Sequence, residues 1–369
     1  MTSSAPELAI HSGWQLDDPG AWSGVVAPMV TAIEERWNTR RLPAITARDA
    51  AIDRLRARLS RHPVLPRHST VTAAHRSRAL RAQLATSDVD LLVAVAASTD
   101  LVASPGTPVL QITDATFDAV AGFYPQFSGL SQESHRQGAR VERLAARNTA
   151  HYLVASDWAR GSLVDEIGVM PQRITVAPFG PAITAPDPMP PREASGGPLE
   201  LLFVASDWER KNGNTALRIH HALHERTGAR LTIVGETPAL SPMSGVRTVG
   251  RVSPRALSRL YTCADVLLEP SRANASGVVI TDALAHGLPV LATDVGGVAT
   301  LLRPGVGGWL LPPDRIVEDA ISILGSLDRA DLAALSRSAS EDARERLSWS
   351  AWADAFDRAV QASLRDDQY

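Results

Sequence analysis

Two side-chain types are almost missing from this chain of 369 residues. It has one cysteine, Cys263, and one lysine, Lys211; the rest of its 37 basic residues are arginine. A lone cysteine can close no internal disulfide and build no thiolate zinc site, so a reducing cytoplasm and a metal-free protein are expected. No apolar run nears the ~20 residues needed to span a bilayer. The opening MTSSAPELAIHSGW has neither a basic nor an apolar segment, so no signal peptide is expected. Charge of one sign is not in excess either. The net charge of −3 gives no general attraction to nucleic acid or anionic lipid. Also lacking are a nucleotide-binding P-loop, a G-x-G-x-x-G after a strand, and a His/Cys/Asp cluster at metal-ligand spacing.

What the chain has is 44% hydrophobic and 21% charged residues, the balance of a soluble globular protein, in a length suited to two domains. Short apolar runs alternate with longer amphipathic stretches, the pattern of βαβ units and parallel sheets. Residues 8–12, 91–97, 108–114, 151–156 and 174–180 read as strands of a first domain, with helices at 28–37 and 162–168. The stretch PAITAPDPMPPREASGGP follows, and its prolines and glycines suit neither a helix interior nor a central strand. Beyond it the alternation restarts, with strands at 199–206, 230–236, 265–271, 289–294 and 308–313. Helices are expected near 213–226, 254–262, 277–286, 315–327 and 330–345. The expected organisation is a first α/β domain over 1–183, a linker over 184–198, a second α/β domain over 199–346 and a closing segment over 347–369.

The arginine-dense segment from Arg48 to Arg81, which includes AAIDRLRARLSRH, has two readings. One is a membrane-surface or nucleic-acid patch; the other, favoured here, is the solvated face of an amphipathic helix.

Open α/β sheets bind ligands at the carboxyl ends of their strands, where loops feed helix N-termini. Four such loops in the second half carry distinctive chemistry. DWERKNG places Arg210 and Lys211 where cations can hold a diphosphate. In SRANASGVVITDALAHG, Ser276 or a neighbour is expected to cap a helix, Gly277 lets the backbone approach a ligand, and the free N–H groups favour an anion. Asp282 lies inside that helix, where a buried carboxylate needs donors, and a pair of sugar hydroxyls would supply them. Gly296 and Gly297 open a further helix, and Gly250, Arg251 and Val252 can edge a flat base with their backbone. Together the loops describe a site for a nucleotide diphosphate joined to a polyhydroxylated group, with Asp282 reading the ribose and Asn274 the attached sugar.

The order of FVASDWERKNG, LTIVGE, VGRVSPRALSRLYTCADVLLEPS, ASGVVITDALAHGLPVLATDVGGVATLLRPGVGGWLLPP and LSWSAWADAF resembles the retaining glycosyltransferases of family 4, whose GT-B fold sets two Rossmann-like doubly wound domains facing each other across a cleft. The resemblance runs along most of the chain. It implies that Lys211 and Arg210 bind the donor diphosphate. It also implies that Asn274 and Asp282 occupy the two positions of the family's Glu-x7-Glu motif. Backbone amides of Ala275, Ser276 and Gly277 would line the sugar and phosphate, and Gly24 would belong to an N-terminal glycine loop facing the donor; where many relatives place a histidine this chain has QITDATF, and its Asp114 would position the acceptor or steady positive charge. LSWSAWADAF would form a closing helix that crosses back to the first domain. Departures from the pattern are Asn274 and Asp282 for the glutamates, Ser276 for an aromatic, Ser206 for an arginine and Thr300 for an acid.

The implied chemistry is metal-independent hexosyl transfer from a nucleotide-diphosphate sugar to an acceptor hydroxyl with retention, the catalytic residues being Asp114, Lys211 and Asn274. No other cofactor is implied, and the partners are the donor and a hydroxyl-bearing acceptor. Two alternatives stand beside it. One is a protein of this fold that binds a nucleotide sugar without transferring it. The other is a sugar-nucleotide 2-epimerase, a class that needs acid/base groups Asn274 cannot supply.

Overall fold

The computed structural model describes residues 6–45, 51–188 and 197–365. Residues 189–196 of the expected linker, and Arg48 of the arginine-dense segment, lie outside the described residues. The chain forms two compact units, one of residues 1–177 with 352–369 and one of residues 178–351.

The first unit holds a six-stranded sheet: β1 (Glu7–Ser12), β2 (Asn38–Arg41), β3 (Leu91–Val95), β4 (Val109–Thr113), β5 (His151–Val154) and β6 (Ile174–Val176). All neighbours pair in parallel, in the order β2-β1-β3-β4-β5-β6. Strands β3, β4 and β5 are buried along their whole length, as a parallel sheet covered on both faces requires. The edge strand β2 reads NTRR and is nearly all exposed. It carries no apolar pattern, so sequence periodicity does not reveal it.

The second unit repeats the plan with β7 (Glu200–Ala205), β8 (Arg230–Gly235), β9 (Val246–Thr248), β10 (Val266–Glu269), β11 (Val290–Thr293) and β12 (Gly308–Leu311). Its order is β12-β11-β10-β7-β8-β9, again parallel throughout. Side chains along β7 alternate between two cores, as the period of two in a strand dictates. Leu201, Phe203 and Ala205 join a core with Ala216, Ile219, Leu223, Ile316 and Ala320 from the helices Gly213–Thr227 and Ile316–Ser326. Leu202 and Val204 face the other way, against Tyr261, Ile280, Ala283 and Leu284 from the helices Pro254–Cys263 and Val278–Ala285. Each buried side chain of this size contributes roughly 1.5–3 kcal/mol.

Two expected helices differ in their bounds. The one expected at 28–37 runs over Val26–Glu34. The one expected at 162–168 is the helix Asp157–Ser162 continued by a wider turn over Leu163–Ile167, which Gly168 ends at φ 83°. The helix Trp349–Arg365 closes the chain, and from Trp352 onward its residues cluster with the first unit. There Arg36 donates to Asp354 at 2.6 Å, and the Trp37 indole donates to Asp357 at 2.7 Å.

Candidate functional site

In each unit the strand order fixes a point where successive connections leave in opposite directions, and ligands in such sheets bind at the carboxyl ends of the strands there. In the second unit the point falls between β7 and β10. The loops that leave those two strands carry Arg210 with Lys211, and Asn274 with Gly277.

The sequence places Lys211 in a loop as a cation for a diphosphate, and the structure buries it. It is 4% exposed, and its Nζ donates to Oε1 of Glu269 at 2.5 Å. Burial lowers the Lys211 pKa, the Glu269 charge works against that, and the Arg210 guanidinium adds to the lowering. Glu269 ends β10 and is fully buried. Its Oε1 accepts from Lys211, from the Ser271 hydroxyl and from the Asn274 amide Nδ2 at 3.0 Å. Its Oε2 is buried with no partner among the described residues. Glu269 is absent from the sequence-based site, although one signal was available: DVLLEPS sets an acid within an apolar strand, where an unpaired charge is costly.

Asn274 joins three loops. While Nδ2 donates to Glu269, Oδ1 accepts from the Gly277 N–H at 2.9 Å, and its carbonyl accepts from the Gly297 N–H at 3.0 Å. The amide thus satisfies a free N–H at the start of the helix Val278–Ala285. Ser276 or a neighbour was expected to cap that helix, and it is the neighbour that does. The cap residue is Gly277, in the left-handed region at φ 57°, and no side chain caps there. Glycine is needed for space as well, since an added Cβ would overlap the Leu301 side chain. Ala275 is buried beside it, and Ser276 is half-buried.

Arg210 ties the same loops together from the β7 side. Its Nη1 donates to the Ala273 carbonyl at 3.0 Å and its Nη2 to the Ser206 hydroxyl at 3.3 Å, while its own carbonyl accepts from the Arg272 N–H at 2.8 Å. Asp282 is 3% exposed, and its Oδ1 accepts from the Ile183 N–H at 2.9 Å. Burial pushes its pKa up to about 7, against the opposing hydrogen bonds from the Ile183 and Ala182 backbone. The donors that its burial demands are therefore backbone groups of the segment before the linker. Gly250 sits at φ 66° and accepts from the Gly235 N–H at 2.8 Å. Arg251 is exposed and paired with Glu236 at 2.8 Å, and Val252 packs against the core.

In the first unit the corresponding point falls between β1 and β3. The loop after β1 holds three successive left-handed residues, Trp22 at φ 47°, Ser23 at φ 61° and Gly24 at φ 87°. Such backbone costs about 1–3 kcal/mol for each non-glycine residue and collects at functional sites. The Trp22 indole donates to Asp114 Oδ2 at 3.2 Å, just past the end of β4. Beneath that loop Asp100 is fully buried. It accepts from Arg76 Nη2 at 2.8 Å and lies 2.8 Å from His11 Nε2. Burial alone would raise its pKa, but these bonds hold it well below the usual carboxylate range. The structure thus brings Arg210, Lys211, Asn274, Ala275 and Gly277 together around Glu269 in the second unit, with Asp282 on the next helix. Gly24 and Asp114 belong to the first unit.

Residues 198–328 match the family described as Glycosyl transferases group 1. A D-inositol 3-phosphate glycosyltransferase from Segniliparus rotundus is 31% identical over 160 residues, which are 39% of this chain and 35% of that protein. The chain thus spans about a third of the length of that curated relative. Sucrose-phosphate synthase from Thermosynechococcus elongatus has a similar structure, at 18% identity and a TM-score of 0.69 over 97% of this chain and 98% of that one. Anabaena Alr3699/HepE, solved with UDP and glucose, superposes with a TM-score of 0.65 at 16% identity over 97% of this chain and 100% of that one. Two parallel six-stranded sheets, matched in this way over 97% of the chain, are the GT-B fold, and the group 1 match lies within the second unit.

Proposed function

We propose that the protein is a metal-independent retaining glycosyltransferase of family 4 that moves a hexose from a nucleotide-diphosphate sugar to an acceptor hydroxyl. The observation that carries the reading is the meeting of Arg210, Lys211 and the Gly277-started helix at the carboxyl ends of β7 and β10. Cations and free N–H groups placed there suit a departing diphosphate, and stabilising the charge that develops on a leaving group is usually the largest catalytic contribution. In the proposed reaction the bond from the anomeric carbon to the phosphate oxygen breaks. The acceptor oxygen attacks on the same face, and its proton passes to the departing phosphate. Lys211 and Arg210 meet the phosphates, Asp282 takes ribose hydroxyls in exchange for a backbone partner, and Asp114 orients the acceptor. Asn274 lines the sugar. The D-inositol 3-phosphate glycosyltransferase match and the UDP-bound neighbour support a nucleotide-sugar donor.

Calorimetric titration with UDP, GDP, ADP and dTDP, repeated on Lys211→Ala, tests the donor site. Selective binding of one nucleotide, weakened at least tenfold in the variant, is expected. A folded protein that binds none of the four defeats the assignment. Retention is read from the anomeric proton coupling of the product, and metal independence from unchanged turnover in a chelator.

A further inference from the structure

The sequence reading of the arginine-dense segment implies a helix that buries an apolar face and solvates its arginines. The structure reverses that helix. In Ala51–Leu59 the one buried residue is Asp53. Its carboxylate accepts from the Ser69 hydroxyl, from Thr72 Oγ1 at 2.9 Å and from Arg56 Nη1 at 3.4 Å. The Ser69 hydroxyl in turn accepts from the Thr72 N–H and so caps the helix Thr70–Leu84. The short helix is therefore pinned to the first unit by its polar side.

Its apolar side faces out. Ile52 is 50% exposed, Leu55 55% and Leu59 75%. Spacings of three and four put these three residues on one stripe. Among the described residues they are three of the six exposed large hydrophobic side chains, and another of the six, Val71, 42% exposed, is near in sequence. Arg54, Arg56, Arg58 and Arg61 lie within residues 54–61, a stretch with no acid. A patch this basic, in a chain of net charge −3, is a local concentration and not a reflection of the whole.

We propose that this helix docks the first unit on an anionic lipid surface, with Ile52, Leu55 and Leu59 entering the headgroup boundary and the arginines meeting lipid phosphates. Interfacial helices combine one apolar stripe with flanking basic residues in this way. A nucleic acid would be served by the arginines but not by three exposed aliphatics. A second copy of the chain would need roughly 800 Å² from each partner, whereas a nine-residue helix is only about 13 Å long. The inference is independent of the donor-site reading, because no residue in it belongs to that site.

The test is co-sedimentation of the full chain with vesicles of phosphatidylcholine alone and of phosphatidylcholine with phosphatidylglycerol. Binding is expected only to the anionic vesicles, and it should fall at least tenfold when salt rises from 50 mM to 500 mM. The variant Ile52→Ser/Leu55→Ser/Leu59→Ser should lose binding at least tenfold at low salt while keeping its melting temperature, since all three side chains are exposed. Arg58→Ser/Arg61→Ser should weaken binding in proportion to the anionic lipid fraction. Equal binding to both vesicle types overturns the proposal, as does a triple-serine variant that binds as well as the parent. A parent dimer that the triple-serine change converts to monomer, with no vesicle binding, assigns the stripe to a second copy and overturns it equally.

Discussion

The ammonium of Lys211 and the carboxylate of Glu269 form a 2.5 Å ion pair whose side chains are 5% and 0% exposed. A buried pair of this kind adds little net stability compared with two apolar residues, yet breaking it from one side strands the other charge, at about 3–5 kcal/mol. Lys211→Ala should therefore lower stability by about that amount in urea denaturation as well as weakening nucleotide binding. The double variant Lys211→Met/Glu269→Gln separates the two effects, because the glutamine oxygen still accepts from Ser271 and Asn274. Its stability should recover most of the loss, while its affinity for the selected nucleoside diphosphate stays at least tenfold down. Recovery of binding in the double variant would show that Lys211 only balances Glu269.

Gly277 and Ser276 make opposite predictions about the start of the helix Val278–Ala285. Gly277→Ala meets both a left-handed backbone and the Leu301 side chain, so a loss of about 2–4 kcal/mol is expected. Ser276→Ala should stay within about 0.5 kcal/mol, because its side chain caps nothing. Chemical denaturation of the two variants checks this directly, and a larger loss at Ser276 would contradict the cap seen here.

The parallel sheets were legible because burial on both faces makes their strands short continuous apolar runs, as in LLVAV and ELLFVA. So were the loops after β7 and β10, where Gly277 and the lone Lys211 stand out from their neighbours. The partners of those residues were not legible. Asn274 reads as a sugar ligand in sequence, and its amide also donates to Glu269 and accepts from Gly277, contacts that depend on where two loops meet. Asp282 likewise meets the backbone of Ile183, 99 positions away. The helix at 51–59 does solvate its arginines, but its outward apolar stripe was not legible, because periodicity reports that a stripe is apolar and not which way it faces.

Trp22 holds Asp114 through its indole N–H at 3.2 Å. Trp22→Phe keeps the ring and removes the donor, and a hydrogen bond to a charged group is worth about 1.5–3 kcal/mol. If Asp114 orients the acceptor, turnover of the nucleotide sugar, followed as released nucleotide, should fall about tenfold. Affinity for the nucleotide should not change, because its proposed ligands lie in the other unit. Reduced affinity with unchanged turnover would assign Trp22 to the donor and not to Asp114.

Asp282 links stability to pH in a direction that runs against the ordinary acid. Its pKa rises from the ordinary 3.8 of an aspartate to about 7 in the fold, chiefly through burial. Between those values the folded state binds a proton that the unfolded state has lost, so stability falls as pH rises across the interval and levels off above about 7. The span corresponds to something on the order of 4 kcal/mol. Asp282→Asn removes the titration while keeping an oxygen to accept from Ile183. The variant should therefore gain on the parent as pH rises from 5 to 8, with the difference in urea midpoints widening up to about pH 7. Buried Glu142 of the first unit, also raised to about 7 by burial, shifts both proteins alike and cancels in that difference. A parent and variant whose midpoints track each other across this range would mean that Asp282 is already ionised at pH 5. In that state the Ala182 and Ile183 N–H groups would be compensating its charge in full, and a ribose would have to displace them to bind.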